Sequence, residues 1–131
     1  QAKDAGMECD FVGSDGWDGV LGQVTDPAMV EGAVFLSPFL ATEDAAADFV
    51  SKYEAAYGAT PDQFAADGYD CVYAIKAAME QAGSIETEAL IQAMTEITVD
   101  GLTGQVTFEE SGEPAKTAKY VQIVNGEYTA M

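Results

Sequence analysis

Histidine and arginine are both missing from this sequence, and five lysines are its only basic side chains. Without histidine, no Ser–His or Cys–His nucleophile can be assembled within the chain. The commonest protein ligand for transition metals is missing with it. Two cysteines, Cys9 and Cys71, are too few for a disulfide framework, and neither has a neighbouring Cys at metal-ligand spacing. Both are read as small buried apolar side chains, with a bridge between them as the alternative. No apolar run is long enough to span a bilayer. The opening QAKDAGMECDFVG has neither the basic region nor the apolar region of a signal peptide. It also lacks an initiator Met, and residues 1–6 read as the last turns of a helix ending at Gly6, so a piece of something longer is expected. GxSxG, P-loop, GxGxxG and CxxC motifs do not occur, and no cofactor is called for.

Carboxylates are abundant: 23 of them leave a formal net charge of −18 over 131 residues. A field of that sign repels phosphate backbones and anionic lipid surfaces, which excludes nucleic acid as a partner. A solvated acidic surface accounts for the charge; adaptation to salt and a basic partner are the other readings. The acids do not form a metal site by pattern. GSDGWDG has a passing likeness to a calcium loop but lacks the carboxylate spacing and closing Glu of an EF-hand. Glu109 and Glu110 are adjacent at a strand end and point to opposite faces, so they are no acid/base pair.

Periodicity divides the chain into alternating strands and helices. Residues 9–13 (CDFVG) and 32–37 (GAVFLS) are short apolar runs bounded by Gly or Pro, the pattern of buried parallel strands. Thr42 is placed to cap a helix whose first turn holds Glu43 and Asp44 and whose inner face is Ala45, Phe49, Tyr53 and Tyr57, ending at Gly58. Thr60, Pro61, Asp62 and Gln63 form a second start signal, combining an N-cap, Pro at the first helical position and a capping-box Gln. The stripe Phe64, Gly68, Cys71, Val72, Ile75, Met79 and Ala82 is then the expected core face of a long helix ended by Gly83. Gly68 within it is expected to serve close packing. A third helix over residues 86–97 turns Leu90, Ile91 and Met94 inward. Residues 105–108 (QVTF) and 119–124 (KYVQIV) are strands, and Asn125-Gly126 is a type I′ hairpin signal. The whole reads as α/β with a parallel sheet.

One segment stands out for chemistry. At GSDGW (residues 13–17) a strand ends, the chain turns, and Asp15 and Trp17 are presented together. Ligands of open α/β sheets bind beyond the carboxyl ends of strands. There a carboxylate can hold an ammonium and an aromatic ring can wall off an apolar side chain. The alternative is structural: Asp15 caps the helix that follows and Trp17 packs beneath.

Five stretches occur in a characteristic order: QAKDAG with DFVGSDGW; VEGAVF; FVSKYEAAYG; TPDQFAADGYDCVYAIKAAMEQAG; and DGLTGQVTFEESGEPAKTAKYVQIVNGEY. Together they make the chain resemble the C-terminal portion of type I periplasmic solute-binding proteins of the branched-chain amino acid class. The resemblance implies two Rossmann-like α/β lobes joined by three crossovers, with a small ligand, an amino acid, closed between them. It implies delivery to an ABC-type membrane permease from an extracytoplasmic site, periplasmic or lipoprotein-anchored, and no catalysis. Residues 1–39 fall in the second lobe, 40–115 in the first, and 116–131 in a return to the second.

The same resemblance places Asp15 on the ligand's α-ammonium, where some members carry Glu, and Phe64 against the ligand side chain. Trp17 and Tyr69 lie nearby in it. The family's contacts to the ligand carboxylate come from sequence that precedes this region. The resemblance therefore implies a missing N-terminal portion as partner, or self-association of the exposed piece. It sets Cys9 on a second-lobe strand and Cys71 in a first-lobe helix, both as free thiols. Two other functions share the residues: a sensory or regulatory ligand-binding domain of the same fold, and a carboxylate-based hydrolase. The latter needs two acids across one cleft, and no such pair is evident.

Overall fold

The computed structural model describes residues 1–117 and 119–131. It divides into two compact units, Gln1–Leu40 with Ala118–Met131, and Ala41–Thr117.

The first unit is built on a four-stranded sheet. Strand β1 (Val12–Gly13) runs parallel to β2 (Val34–Ser37), with Val12 opposite Val34 and Gly13 opposite Phe35. Lys119–Val124 and Glu127–Ala130 form an antiparallel hairpin whose first strand pairs antiparallel with β2, Phe35 opposite Val121. The sheet is therefore mixed: the first two strands are parallel, as expected, and the expected terminal hairpin adds two antiparallel ones. Asn125 and Gly126 take φ of 53° and 75°, as a type I′ turn requires, which reverses Glu127–Ala130 against Lys119–Val124. The carboxylate of Glu31 locks that turn, accepting from Asn125 N–H at 2.8 Å and Gly126 N–H at 3.2 Å.

Side chains alternate along β2, so Phe35 and Ser37 face inward. Phe35, Val121 and Ile123 join Ala33 and Leu40 in the core, with Phe11, Trp17, Val20, Leu21, Val30 and Tyr128 packed around them. Tyr128 meets the Phe35 ring edge-on at 5.5 Å and accepts the Leu21 N–H at 3.1 Å through its hydroxyl. The first strand is shorter than the expected 9–13. Phe11 joins the pairing only through its carbonyl, which accepts from Val34 N–H at 3.0 Å, while its ring packs on the core; Cys9 and Asp10 are exposed. Residues 2–6 form hydrogen-bonded turns, Ala5 N–H on Gln1 O and Gly6 N–H on Lys3 O, each at 2.9 Å, and Gly6 takes φ 80°.

The second unit holds three helices, α1 (Ala47–Tyr57), α2 (Gln63–Ala82) and α3 (Thr87–Met94). They are followed by a three-stranded antiparallel sheet of Val99–Gly101 (β3), Gly104–Phe108 (β4) and Pro114–Ala115 (β5). The outermost two of these strands are too short to carry a sequence signal. Thr42 caps nothing: a 3₁₀ turn over Asp44–Ala46 leads into α1, whose N-cap is Ala46. The cap of α2 is Asp62, two residues later than expected, and its Oδ1 accepts from Ala65 N–H at 2.9 Å. Thr60 instead donates its hydroxyl to Glu54 at 2.7 Å. Gly58 and Gly83 end α1 and α2 at φ of 69° and 59°, as αL caps do. The third helix stops at Met94, short of Ile97.

The largest departure concerns the faces of α2. Its buried residues are Gln63, Ala66, Asp70, Ala74 and Ala78, not the expected stripe. Phe64, Val72, Ile75 and Met79 are 55, 65, 43 and 39 % exposed, and Cys71 is exposed with them. A Cβ added at Gly68 would meet nothing within 4 Å, so this glycine serves no close approach among the described residues. Nor are the cysteines buried: Cys9 and Cys71 are both exposed and free.

What holds α2 to the sheet is a carboxylate. Asp70 accepts from Leu102 N–H at 2.9 Å, Thr103 N–H at 2.9 Å and the Thr103 hydroxyl at 2.7 Å. The β3–β4 turn is thereby bonded to the middle of the helix. Gly101 has no side chain because a Cβ there would overlap the Asp70 carboxylate. Lys116 closes the network, donating to Thr103 Oγ1 and Asp67 Oδ1, each at 2.8 Å.

Three outcomes are expected. Asp70→Ala leaves two backbone N–H groups and a hydroxyl without a buried acceptor, and urea unfolding should show a loss on the order of 3 kcal/mol; a loss under about 1 kcal/mol would show the clamp to be dispensable. Thiol titration in denaturant without reductant should find both cysteines, and finding none at unchanged monomer mass would refute the free pair. Burial pushes the Tyr128 phenol above its ordinary range. The unfolded phenol therefore ionises first, and its contribution, complete below about pH 10, is lost as pH rises toward the folded pKa. Tyr128→Phe should flatten that part of an alkaline unfolding curve; an unchanged slope would exclude Tyr128 as its source.

Candidate functional site

Strand β1 delivers the first candidate segment. It ends at Gly13, and the chain enters a 3₁₀ turn over Asp15–Trp17 whose N-cap is Ser14, with Asp15 as the acidic first residue. The turn is closed by Trp17 N–H on Ser14 O at 3.1 Å and Asp18 N–H on Asp15 O at 3.0 Å. These bonds fix the Asp15 backbone while its side chain stays exposed to solvent. Such a carboxylate can accept an ammonium without first giving up a buried position.

Trp17 does two things at once. Its indole is packed on the first unit's core cluster, over Gly13, where a Cβ would collide with the ring. The same ring lines a cavity of about 270 Å³ with Phe11, Val24, Met29, Val30 and Ala33. Asp15 and Trp17 thus lie on one turn, the acid outward and the indole inward.

The second candidate segment is the start of α2. Phe64 is its second residue, on the exposed stripe. Tyr69 lies five residues on, about 140° around the helix, so the two occupy different faces. Tyr69 belongs instead to an aromatic ladder. Its ring stands 5.0 Å from Phe49 and 4.8 Å from Tyr73, and α1 extends the series through Tyr53 to Tyr57 at 5.8 and 4.5 Å. The Tyr69 hydroxyl donates to Tyr73 at 3.1 Å, and that bond raises its pKa above the ordinary phenol range. Phe49, Tyr53, Tyr57 and Tyr69 border a groove of about 320 Å³ between α1 and α2, with the Asp48–Lys52 ion pair at its rim.

Asp70 is the residue that sequence reasoning missed. It touches no candidate ligand position; it fixes α2, and with it the placement of Phe64 and Tyr69, against the β3–β4 turn. A signal existed: Ala66, Asp70, Ala74 and Ala78 recur every four residues. A carboxylate on a face of alanines has to find donors in a close neighbour. Among the described residues, no group of three or more acidic or cysteine side chains is placed to hold a metal ion. None of the described helices is long and apolar enough to cross a membrane.

Comparison with known proteins identifies the fold. The leucine-binding protein LivK of Thermotoga maritima superposes with a TM-score of 0.76 at 25 % identity, over 100 % of this chain and 39 % of its own. LivJ of Streptococcus pneumoniae, a branched-chain amino acid transporter substrate-binding protein solved with isoleucine, gives 0.82 at 29 % identity, over 99 % of this chain and 38 % of its own. An ABC transporter substrate-binding protein of Desulfitobacterium hafniense, in complex with leucine, shares the fold at 0.75 and 24 % identity, over 99 and 38 %. The chain thus spans under two-fifths of the length of these relatives. The family model described as periplasmic binding protein matches residues 1–127, and the chain belongs to that family.

Proposed function

We propose that this chain is part of an extracytoplasmic solute-binding protein that captures a small amino acid and delivers it to an ABC-type membrane permease, without catalysis. The observation that carries the reading is the strand-end turn: Asp15 is held by the backbone in an exposed position directly after β1, in a chain of the binding-protein family. LivJ, a relative at 29 % identity, was solved with isoleucine, which supports an amino acid as ligand.

In this reading Asp15 pairs with the ligand's α-ammonium and Phe64 contacts its side chain. Trp17, half-buried on the core, shapes the wall behind Asp15. Tyr69 acts through the aromatic ladder that positions α2. Residues 1–39 and 116–131 belong to one lobe and 40–115 to the other; the division into two compact units supports that assignment except at Lys116 and Thr117, which fall in the helical unit. The ligand carboxylate is held by the remainder of the polypeptide, periplasmic or lipoprotein-anchored.

Once desolvated around a bound ligand, an Asp15–ammonium pair costs about 3–5 kcal/mol to break from one side. Asp15→Ala in the complete polypeptide should weaken amino-acid binding by roughly two to three orders of magnitude in calorimetry. Asp15→Asn should lose nearly as much, because it keeps the shape and drops the charge. A turn-capping role predicts otherwise, since Asn caps as well as Asp. An Asn variant that binds like the wild type would sink the assignment.

A further inference from the structure

Asn125 is the only asparagine in a sequence with 23 aspartates and glutamates. It opens the turn between Lys119–Val124 and Glu127–Ala130 and is followed by Gly126. A type I′ turn accepts Asp-Gly as well as Asn-Gly, so the turn alone does not call for the amide. The neighbour does. Glu31 accepts the Asn125 N–H at 2.8 Å and the Gly126 N–H at 3.2 Å. The backbone sets Glu31 there: Gly32 N–H is bonded to Ile123 O at 2.9 Å, and Ile123 N–H to Ala33 O at 3.0 Å. Pro27 packs under the turn, its Cβ 3.2 Å from where a side chain on Gly126 would begin. An aspartate in place of Asn125 would set a second negative charge beside Glu31, and like charges in contact destabilise.

An exposed Asn-Gly pair can make that change by itself, because glycine leaves its own nitrogen unobstructed. Gly126 N gives up its proton and bonds to Asn125 Cγ. The Cγ–Nδ2 bond breaks, and the nitrogen leaves as ammonia. Water then opens the cyclic imide at either carbonyl, giving aspartate or isoaspartate. One water is consumed, one ammonia is released, and no electrons are transferred. Asn125 is exposed, yet the proton that must leave is the one Glu31 holds. Removing it would place an anionic nitrogen against an anionic oxygen.

We propose that Asn125 is a deamidation site which the Glu31 carboxylate holds closed in the folded hairpin, and that its reaction unlatches the turn. Aspartate brings its charge against Glu31. Isoaspartate also adds a methylene to the main chain of a two-residue turn, whose length fixes the register of the strands. That register puts Ile123 opposite Tyr128, and both side chains pack in the core around Phe35. A change at an exposed turn thus reaches the centre of the first unit. The inference is independent of any bound ligand.

Replacement of NH2 by OH at this one asparagine is read in the intact mass of the 131-residue chain and located by mass spectrometry of the Asn125 peptide. At neutral pH the native chain should deamidate at least about tenfold more slowly than the same chain in guanidinium, the factor set by keeping one hydrogen bond to a charged group. Glu31→Ala should bring the native rate toward the denatured one and leave the denatured rate unchanged. A native rate unchanged by Glu31→Ala would overturn the proposal. So would a slower one, which would make Glu31 the base that takes the proton. A double-mutant cycle keeps the test open if Glu31→Ala does not fold. Asn125→Asp should lower the urea midpoint, and by less when Glu31→Gln is also present. An equal cost in both backgrounds would overturn the conflict of charge on which the unlatching depends.

Discussion

The buried carboxylate of Asp70 holds the helical unit together. Three donors converge on it, two of them backbone N–H groups of the β3–β4 turn. Hydrogen bonds to an ionised acceptor are roughly twice as strong as neutral ones, so one side chain ties an otherwise weakly packed hairpin to the middle of a 20-residue helix. Gly101 and Thr103 follow from it, the first by leaving space and the second by supplying a hydroxyl. Lys116 then brings the segment after β5 onto the same network through Thr103 and Asp67.

The same chemistry recurs in the first unit. Glu31 accepts both N–H groups of the type I′ turn, and Asp26 accepts from Ala28 N–H at 3.0 Å to start the 3₁₀ turn at Pro27. Asp62 does likewise for α2. A chain with 23 carboxylates and five lysines has too few cations for most of its acids, and Glu31, Asp26, Asp62 and Asp70 are bonded to peptide N–H groups instead. The ion pairs Lys52–Asp48 and Lys76–Glu80 are exposed helix i,i+4 pairs, of the kind worth about 0.3–0.5 kcal/mol each. The remaining acids give a surface that repels copies of itself, which matters for a protein with so much open apolar area on α2.

Local signals in the sequence are legible where one or two residues decide the geometry. Asn125-Gly126 sets a reversal, and the strand over Lys119–Val124 follows from its alternation. Gly58 and Gly83 close their helices at the expected places. Signals that depend on a distant partner are less so. Thr60 has every local qualification of an N-cap, yet Glu54 takes its hydroxyl and Asp62 caps the helix. The strands β3 and β5 have only 3 and 2 residues; they exist because β4 lies between them. At the site, the turn presenting Asp15 and Trp17 is legible from Gly13 and Gly16, whereas the ladder that absorbs Tyr69 is not, because Phe49 reaches it from another helix.

By itself, the sequence determined which segments are helix, turn and hairpin, the sign of the surface charge, the exclusion of histidine-dependent chemistry, and the family. These follow from short-range sterics, periodicity and composition. Only the tertiary structure decided which face of α2 is covered. Periodicity marks an apolar stripe but carries no record of what meets it, and the nearest elements, α3 and β3, met the alanine side. It also decided that Asp70, one acid among many in a helical run, is the anchor. A carboxylate becomes structural only when folding brings donors from more than 30 residues away within hydrogen-bonding distance.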